Sequence, residues 1–126
     1  MRKSHTLARS NKCVMPEHII FVDTETNAIP GDNGKTYQEL MLGVTIFGRF
    51  RRDRGKDVKE IVRFKTVSQF WDIVKSRVVH KTVLHLISHN AVFDFTVLQH
   101  MKHLSKLGYK CQFVYDGGMT FISKWR

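Results

Sequence analysis

The stretch Ile19-Ile20-Phe21-Val22-Asp23-Thr24-Glu25 decides the expected fold. Its first four residues are apolar at odd and even positions alike, which is typical of a strand covered on both faces in an α/β sheet. We therefore expect a central strand over residues 19–22. Asp23 and Glu25 follow it, and in an extended chain their carboxylates point to one face. Ligands bind at the carboxyl ends of such strands, although hydration alone would also explain the two acids.

The rest of the chain divides into short elements between turn signals. The expected order is a polar loop over 27–38, strands over 40–50 and 58–64 joined as an antiparallel hairpin, a helix from 67, a strand over 83–87, a helix over 90–108, and short strands over 111–115 and 120–122. Thr66-Val67-Ser68-Gln69 matches a capping box at the start of the first helix. Asn90 is the expected N-cap of the second helix, which Gly108 ends, and Asp116-Gly117-Gly118 is a turn signal. The fold class is α/β.

A third acid, Asp94, lies on the apolar side of the second expected helix, in register with apolar residues at i+3, i+4, i+7 and i+10. A buried carboxylate is costly unless a cation or hydrogen-bond donors compensate it. If the strands over 19–22 and 83–87 are parallel neighbours, Asp94 comes beside Asp23 and Glu25. Clustered carboxylates suit Mg²⁺ or Mn²⁺, and two such ions can support phosphodiester cleavage.

The charge of the chain favours a polyanionic partner. Lys and Arg number 21 against 11 Asp and Glu, a formal net charge of +10. Nucleic acid is the leading partner class, although an anionic membrane surface or an acidic protein would also be attracted. The arginines of the expected hairpin tip fit either phosphate contact, which we favour, or a solvated turn. These residues are Arg49, Arg51, Arg52 and Arg54.

The chain length of 126 residues allows one domain. Residues 1–16 are basic without an acid, which predicts a flexible tail or, alternatively, an organellar transit peptide. Residues 17–126 form the expected domain. Cys13 and Cys111 lack paired spacing, and the seven His lack zinc-ligand spacing, so we expect an intracellular, reducing compartment and a solvated role for the His. The apolar runs are too short for a transmembrane helix, and we expect no membrane partner.

Two stretches resemble the motifs of a known superfamily. Phe21-Val22-Asp23-Thr24-Glu25-Thr26 resembles the first motif, and Ser88-His89-Asn90-Ala91-Val92-Phe93-Asp94 the second, of the DEDD 3′–5′ exonucleases. The chain looks most like the exonuclease domain of family B DNA polymerases of the protein-primed viral or organellar-plasmid type, with the bacterial proofreading subunits close behind. The similarity covers about residues 17–122. It implies a ribonuclease H-like three-layer fold with a central mixed sheet, in which a β-hairpin is followed by α-β-α-β.

The resemblance also implies roles for particular residues. Asp23, Glu25 and Asp94 would be the catalytic carboxylates and would hold two Mg²⁺ or Mn²⁺ ions. A second set would hold the 3′-terminal nucleotides of single-stranded DNA: Thr26, Asn90, Phe93 and, less strongly, His89. Asn90 would equally cap its helix, and Phe93 would equally fill the core.

The chain departs from this family at the third motif. That motif supplies a fourth acid with a Tyr four residues, or a His five residues, before it, and neither spacing follows Asp94. Asp116 is the only later acid and fits turn chemistry better.

We therefore expect a domain that is incomplete at its C-terminal end and inactive alone, a polymerase module in the longer gene product, and self-association through uncovered apolar surface. The alternative is an inactive ribonuclease H-like module that binds single-stranded nucleic acid or a replication partner.

Overall fold

The computed structural model describes residues 16–50, 58–118 and 120–126. It is a mixed α/β structure with a four-stranded sheet and a separate two-stranded sheet. The strands are β1 (His18–Pro30), β2 (Thr36–Arg49), β3 (Val58–Phe64), β4 (Leu84–Ile87), β5 (Cys111–Asp116) and β6 (Phe121–Trp125). The helices are α1 (Val67–Arg77), α2 (Ala91–Val97) and α3 (His100–Lys106), with a 3₁₀ turn at Asp32–Gly34. No helix in these three ranges is long and apolar enough to cross a membrane. The expected tail lies almost entirely outside the described residues.

The four-stranded sheet has the order β3-β2-β1-β4, so β1 is an interior strand as predicted. It pairs antiparallel with β2 and parallel with β4, where His18 aligns with Leu84 and Phe21 with Ile87. The parallel pairing confirms the condition on which the carboxylate argument depends. β2 and β3 are antiparallel as predicted, although the segment that joins them lies outside the described residues.

The predicted loop over residues 27–38 is wrong, because most of it is strand. β1 runs on to Pro30 and β2 begins at Thr36, so the two strands form a long ribbon. A tight turn closes this ribbon with a 2.6 Å hydrogen bond from the Gly31 N–H to the Lys35 carbonyl. The outer ribbon is exposed on both faces, so no side of it needs apolar residues and the period-two pattern of a half-buried strand is missing from its sequence.

The core lies between one face of the sheet and the helices. Its buried apolar residues are Ile20, Val22, Phe47, Phe64, Phe70, Trp71, Val74, Phe95 and Leu98. On the opposite face Phe21 is 42 % exposed and Ile61 is 61 % exposed. Ile19, on the same face as Phe21, is nevertheless buried, with 6 % of its surface exposed. The expectation that β1 is covered on both faces therefore holds at Ile19 and is wrong at Phe21, and the described helices contribute to the core on the other face.

The single helix expected over 90–108 is also wrong, since α2 and α3 are separated at Gln99, which has left-handed backbone angles (φ 53°, ψ 46°). Two side chains bind carbonyl groups beside this break. The Trp71 indole N–H donates to the Leu98 carbonyl at 2.7 Å, and His100 Nδ1 lies 2.9 Å from the Phe95 carbonyl. Because these polar side chains satisfy the freed carbonyls, the chain can turn here without glycine or proline.

The terminal hairpin β5–β6 packs on the helices through aromatic rings. The His100 ring meets Phe121 and Trp125 edge-on, with ring centroids 5.5 Å and 6.4 Å away. Nearby, the rings of Trp71 and His103 stack at 5.5 Å. Trp71 and His100 therefore connect α1, the helix break and the hairpin.

We expect Trp71→Phe to lower the free energy of unfolding by about 1–3 kcal/mol, because the buried Leu98 carbonyl loses its donor and the smaller ring leaves part of the indole's space unfilled. Urea unfolding measures this change. Trp125→Phe is the matched control, because its indole N–H donates to the Ser123 hydroxyl at the half-exposed hairpin. Equal losses in the two variants would contradict the role of the Leu98 carbonyl.

His103 should make stability depend on pH. Desolvation lowers the pKa of His103 below the ordinary 6.5, and the positive charges of Lys102 and Lys106 lower it further. The folded state thus favours neutral His103. The contribution of this neutral side chain to the free energy of unfolding is present above pH 6.5 and is lost as the pH falls through the pKa of His103 in the folded state. We expect His103→Phe, which keeps a ring on Trp71, to lose less stability than the wild type on acidification below pH 6.5. Urea unfolding across pH tests this, and parallel curves would contradict it.

Candidate active site

Asp94 is the most deeply buried acid among the described residues, with 2 % of its surface exposed. Its Oδ1 accepts a 2.5 Å hydrogen bond from the Thr24 hydroxyl, and its Oδ2 accepts a hydrogen bond from the Ser88 hydroxyl. Thr24 belongs to β1 and Ser88 directly follows β4. The two sequence motifs are therefore in direct contact at the carboxyl end of β4, just beyond the part of β1 that pairs with β4, and hydroxyl donors compensate the buried carboxylate.

Local structure explains how these three side chains meet. Thr24 continues the alternation of Ile20 and Val22, so its side chain points to the core face of β1. Asp94 lies in the first turn of α2, where its N–H donates to the Asn90 carbonyl at 2.9 Å. The exposed N–H groups and dipole of a helix start also favour a carboxylate there.

Asp23 and Glu25 share one face, as predicted, but that face is opposite to the Thr24 side chain. Both are exposed, whereas Thr24 is buried between them in sequence. The structure thus brings Asp94 to Thr24 and leaves the other two carboxylates on the far side of β1. In the described part of the chain no group of three or more His, Cys, Asp or Glu side chains is arranged to hold a metal ion. The carboxylate oxygens suit Mg²⁺ or Mn²⁺, but their described positions do not form a complete site.

A β-bulge on β2 lies opposite the end of the acidic pair: Glu25 aligns with Leu42 and Thr26 with Leu40, so Met41 is the extra residue. Bulges re-aim side chains and occur often beside active sites. The Thr26 hydroxyl is used within the ribbon, where it donates to Gln38 Oε1 at 2.7 Å.

The remaining residues of the second motif lie at the surface around the start of α2. Asn90 holds the N-cap position as predicted, but its side chain makes no capping hydrogen bond. Its amide is exposed, as is His89, and Phe93 is half-buried outside the core cluster. The two structural alternatives, a capping Asn90 and a core Phe93, therefore do not describe these side chains.

The predicted phosphate-binding arginines are only partly described. Arg49 ends β2 and pairs with His18 across the strands. Arg49 Nε and His18 Nδ1 are buried and have no hydrogen-bond partner among the described residues. Arg51, Arg52 and Arg54 lie outside the described residues.

Sequence reasoning missed Thr24 and Ser88 as partners of Asp94. Thr24 carries a usable signal, because it stands at an even interval from Ile20 and Val22 and so belongs to the core face. Ser88 carries no comparable signal, since its contact depends on the angle at which the chain leaves β4.

No protein-family model matches this chain, and no curated protein or solved structure matches it. The case for a function therefore depends on the residues themselves. Two features of this site can support structure, cation binding or both. One is the buried Asp94 carboxylate, which accepts hydrogen bonds from two hydroxyl groups. The other is the exposed pair of acids on the far face of β1.

We expect Asp94→Ala to lower the free energy of unfolding by about 2–4 kcal/mol, because the hydroxyl groups of Thr24 and Ser88 lose their shared acceptor. Asp23→Ala is the matched control and should leave stability nearly unchanged, since its side chain is exposed. Thermal and urea unfolding measure both. An Asp94→Ala variant as stable as the wild type would show that the buried hydrogen bonds contribute nothing net.

Proposed function

We propose that this chain is part of a ribonuclease H-like 3′–5′ exonuclease that removes nucleotides from a DNA 3′ end. The hydrogen bond between Thr24 and Asp94 carries the proposal. It joins the stretch 21–26 to the stretch 88–94, the two stretches that resemble the exonuclease motifs, at the point where β4 ends beside β1. An exonuclease of this kind needs these two stretches in contact, and the hydrogen bond supports the proposal for that reason.

In this proposal Asp23, Glu25 and Asp94 would hold the divalent ions. Those ions supply an activated water and stabilise charge in phosphodiester hydrolysis. Asp94 would have to turn from its hydroxyl donors toward the face of β1 that carries the acidic pair.

The second motif would hold the terminal nucleotides. The Asn90 side-chain amide makes no capping hydrogen bond, so it can hydrogen-bond a base or phosphate. The half-buried Phe93 ring can stack on a base. Thr26 would contribute its hydroxyl once its hydrogen bond to Gln38 is broken.

The proposal needs a fourth carboxylate that these residues do not supply. Asp116, the only acid after Asp94, accepts a 3.0 Å hydrogen bond from the Gly118 N–H in the turn between β5 and β6. We propose that the fourth acid and a polymerase module belong to a longer gene product, and that these 126 residues hydrolyse DNA poorly on their own.

A second candidate is a ribonuclease H-like module that binds single-stranded nucleic acid without cutting it. It is favoured by the full use of Asp94, whose two carboxylate oxygens both accept hydroxyl hydrogen bonds in the core. Here the acid would have only a structural role.

Titration of Mn²⁺ into the purified chain, followed by calorimetry, separates the two candidates. For the exonuclease we expect weak, saturable binding that Asp23→Asn abolishes, because Asp23 is a ligand whose loss should not disturb folding. Asp32→Asn is the control, since Asp32 is an exposed acid in the turn of the distant ribbon. Absence of saturable Mn²⁺ binding in the folded chain, together with oligonucleotide binding that survives EDTA, would contradict the exonuclease and support the binding module.

A further inference from the structure

The terminal hairpin has one docked face and one open face. Phe121 and Trp125 point toward His100 and pack there. On the other face Tyr115 pairs with Ile122 and Phe113 pairs with Lys124. Phe113, Tyr115 and Ile122 are 53 %, 50 % and 53 % exposed, and Lys124 is also exposed. We call this set of four residues the hairpin platform.

The part of the chain that carries the hairpin platform is rich in cations. Residues 95–126 contain the cations Lys102, Lys106, Lys110, Lys124 and Arg126. Their only acid, Asp116, pairs with the docked Phe121 and accepts from the Gly118 N–H. Reciprocal backbone hydrogen bonds of 2.8 and 3.0 Å join Lys110 to Arg126, which places both cations at the base of the hairpin.

The two exposed rings have a spacing that suits successive bases. Phe113 and Tyr115 stand two residues apart on one strand, so their attachment points are about 7 Å apart. The Tyr115 hydroxyl lies close to Gly117, where a Cβ would come within 2.7 Å of it.

We propose that the hairpin platform binds single-stranded nucleic acid, with bases stacked on Phe113 and Tyr115 and phosphates beside Lys124, Lys110 and Arg126. Aromatic rings combined with cations are the two features that such binding requires, and stacking makes the binding tolerant of sequence. A second copy of this chain fits less well, because it would bring the same cations against these. An acidic protein would match the cations but has no particular use for two evenly spaced rings.

This inference shares a nucleic-acid partner with the proposed function but uses none of its carboxylates. The experiment is fluorescence anisotropy of a labelled short oligothymidylate in EDTA. We expect Phe113→Leu and Tyr115→Leu each to weaken binding roughly tenfold, since leucine keeps the apolar surface but has no ring to stack on. Lys124→Gln should reduce the dependence of binding on salt. Tyr37→Leu is the matched control, because Tyr37 is an exposed aromatic residue on the distant ribbon.

Unchanged binding in both leucine variants of the platform, or an equal loss in Tyr37→Leu, would overturn the inference. So would equal affinity for a duplex of the same length, or a dimer in sedimentation that Tyr115→Leu dissociates without changing oligonucleotide affinity. The Mn²⁺ titration of Tyr115→Leu should match the wild type. Absence of saturable Mn²⁺ binding alone therefore contradicts the exonuclease. Unchanged oligonucleotide binding in the two leucine variants alone contradicts the platform.

Discussion

The buried Asp94 carboxylate is the constraint around which the described fold is organised. It ties β1 through Thr24 and the end of β4 through Ser88 to the first turn of α2. An unpaired carboxylate in that position would be strongly unfavourable, so its burial requires the hydroxyl groups of both neighbouring elements to be in place. Leu98, fully buried one turn farther along, then covers the same face of the sheet as Phe95.

The position of the terminal hairpin follows from the helix break rather than from the sheet. Trp71 on α1 binds the Leu98 carbonyl, and the turn at Gln99 directs α3 and the His100 ring toward β6. An unbroken helix would carry His100 elsewhere, and the hairpin would lose its docking ring. The face of the hairpin that remains open is therefore a consequence of which face His100 occupies.

Several features of the fold could be predicted because short local sequence patterns determine them. The apolar run at 19–22 predicts an interior strand, and the capping box of Thr66 and Gln69 forms with both of its hydrogen bonds. The ribbon over 27–38 was not predictable from periodicity, since neither of its faces is buried. The break at Gln99 depends on an indole 27 residues away in sequence from the Leu98 carbonyl, a contact that no local rule contains. At the candidate site the acids were identifiable by their placement, whereas their separation onto two faces depends on Thr24 occupying the core position.

The two kinds of acid at this site do not have equal value as tests of function. Asp94 holds three elements together, so a loss of activity after its replacement could reflect a damaged core as well as a missing ligand. Asp23 is exposed and makes no side-chain hydrogen bond within the described part of the chain. Asp23, rather than the more deeply buried Asp94, is therefore the residue on which a catalytic role can be decided.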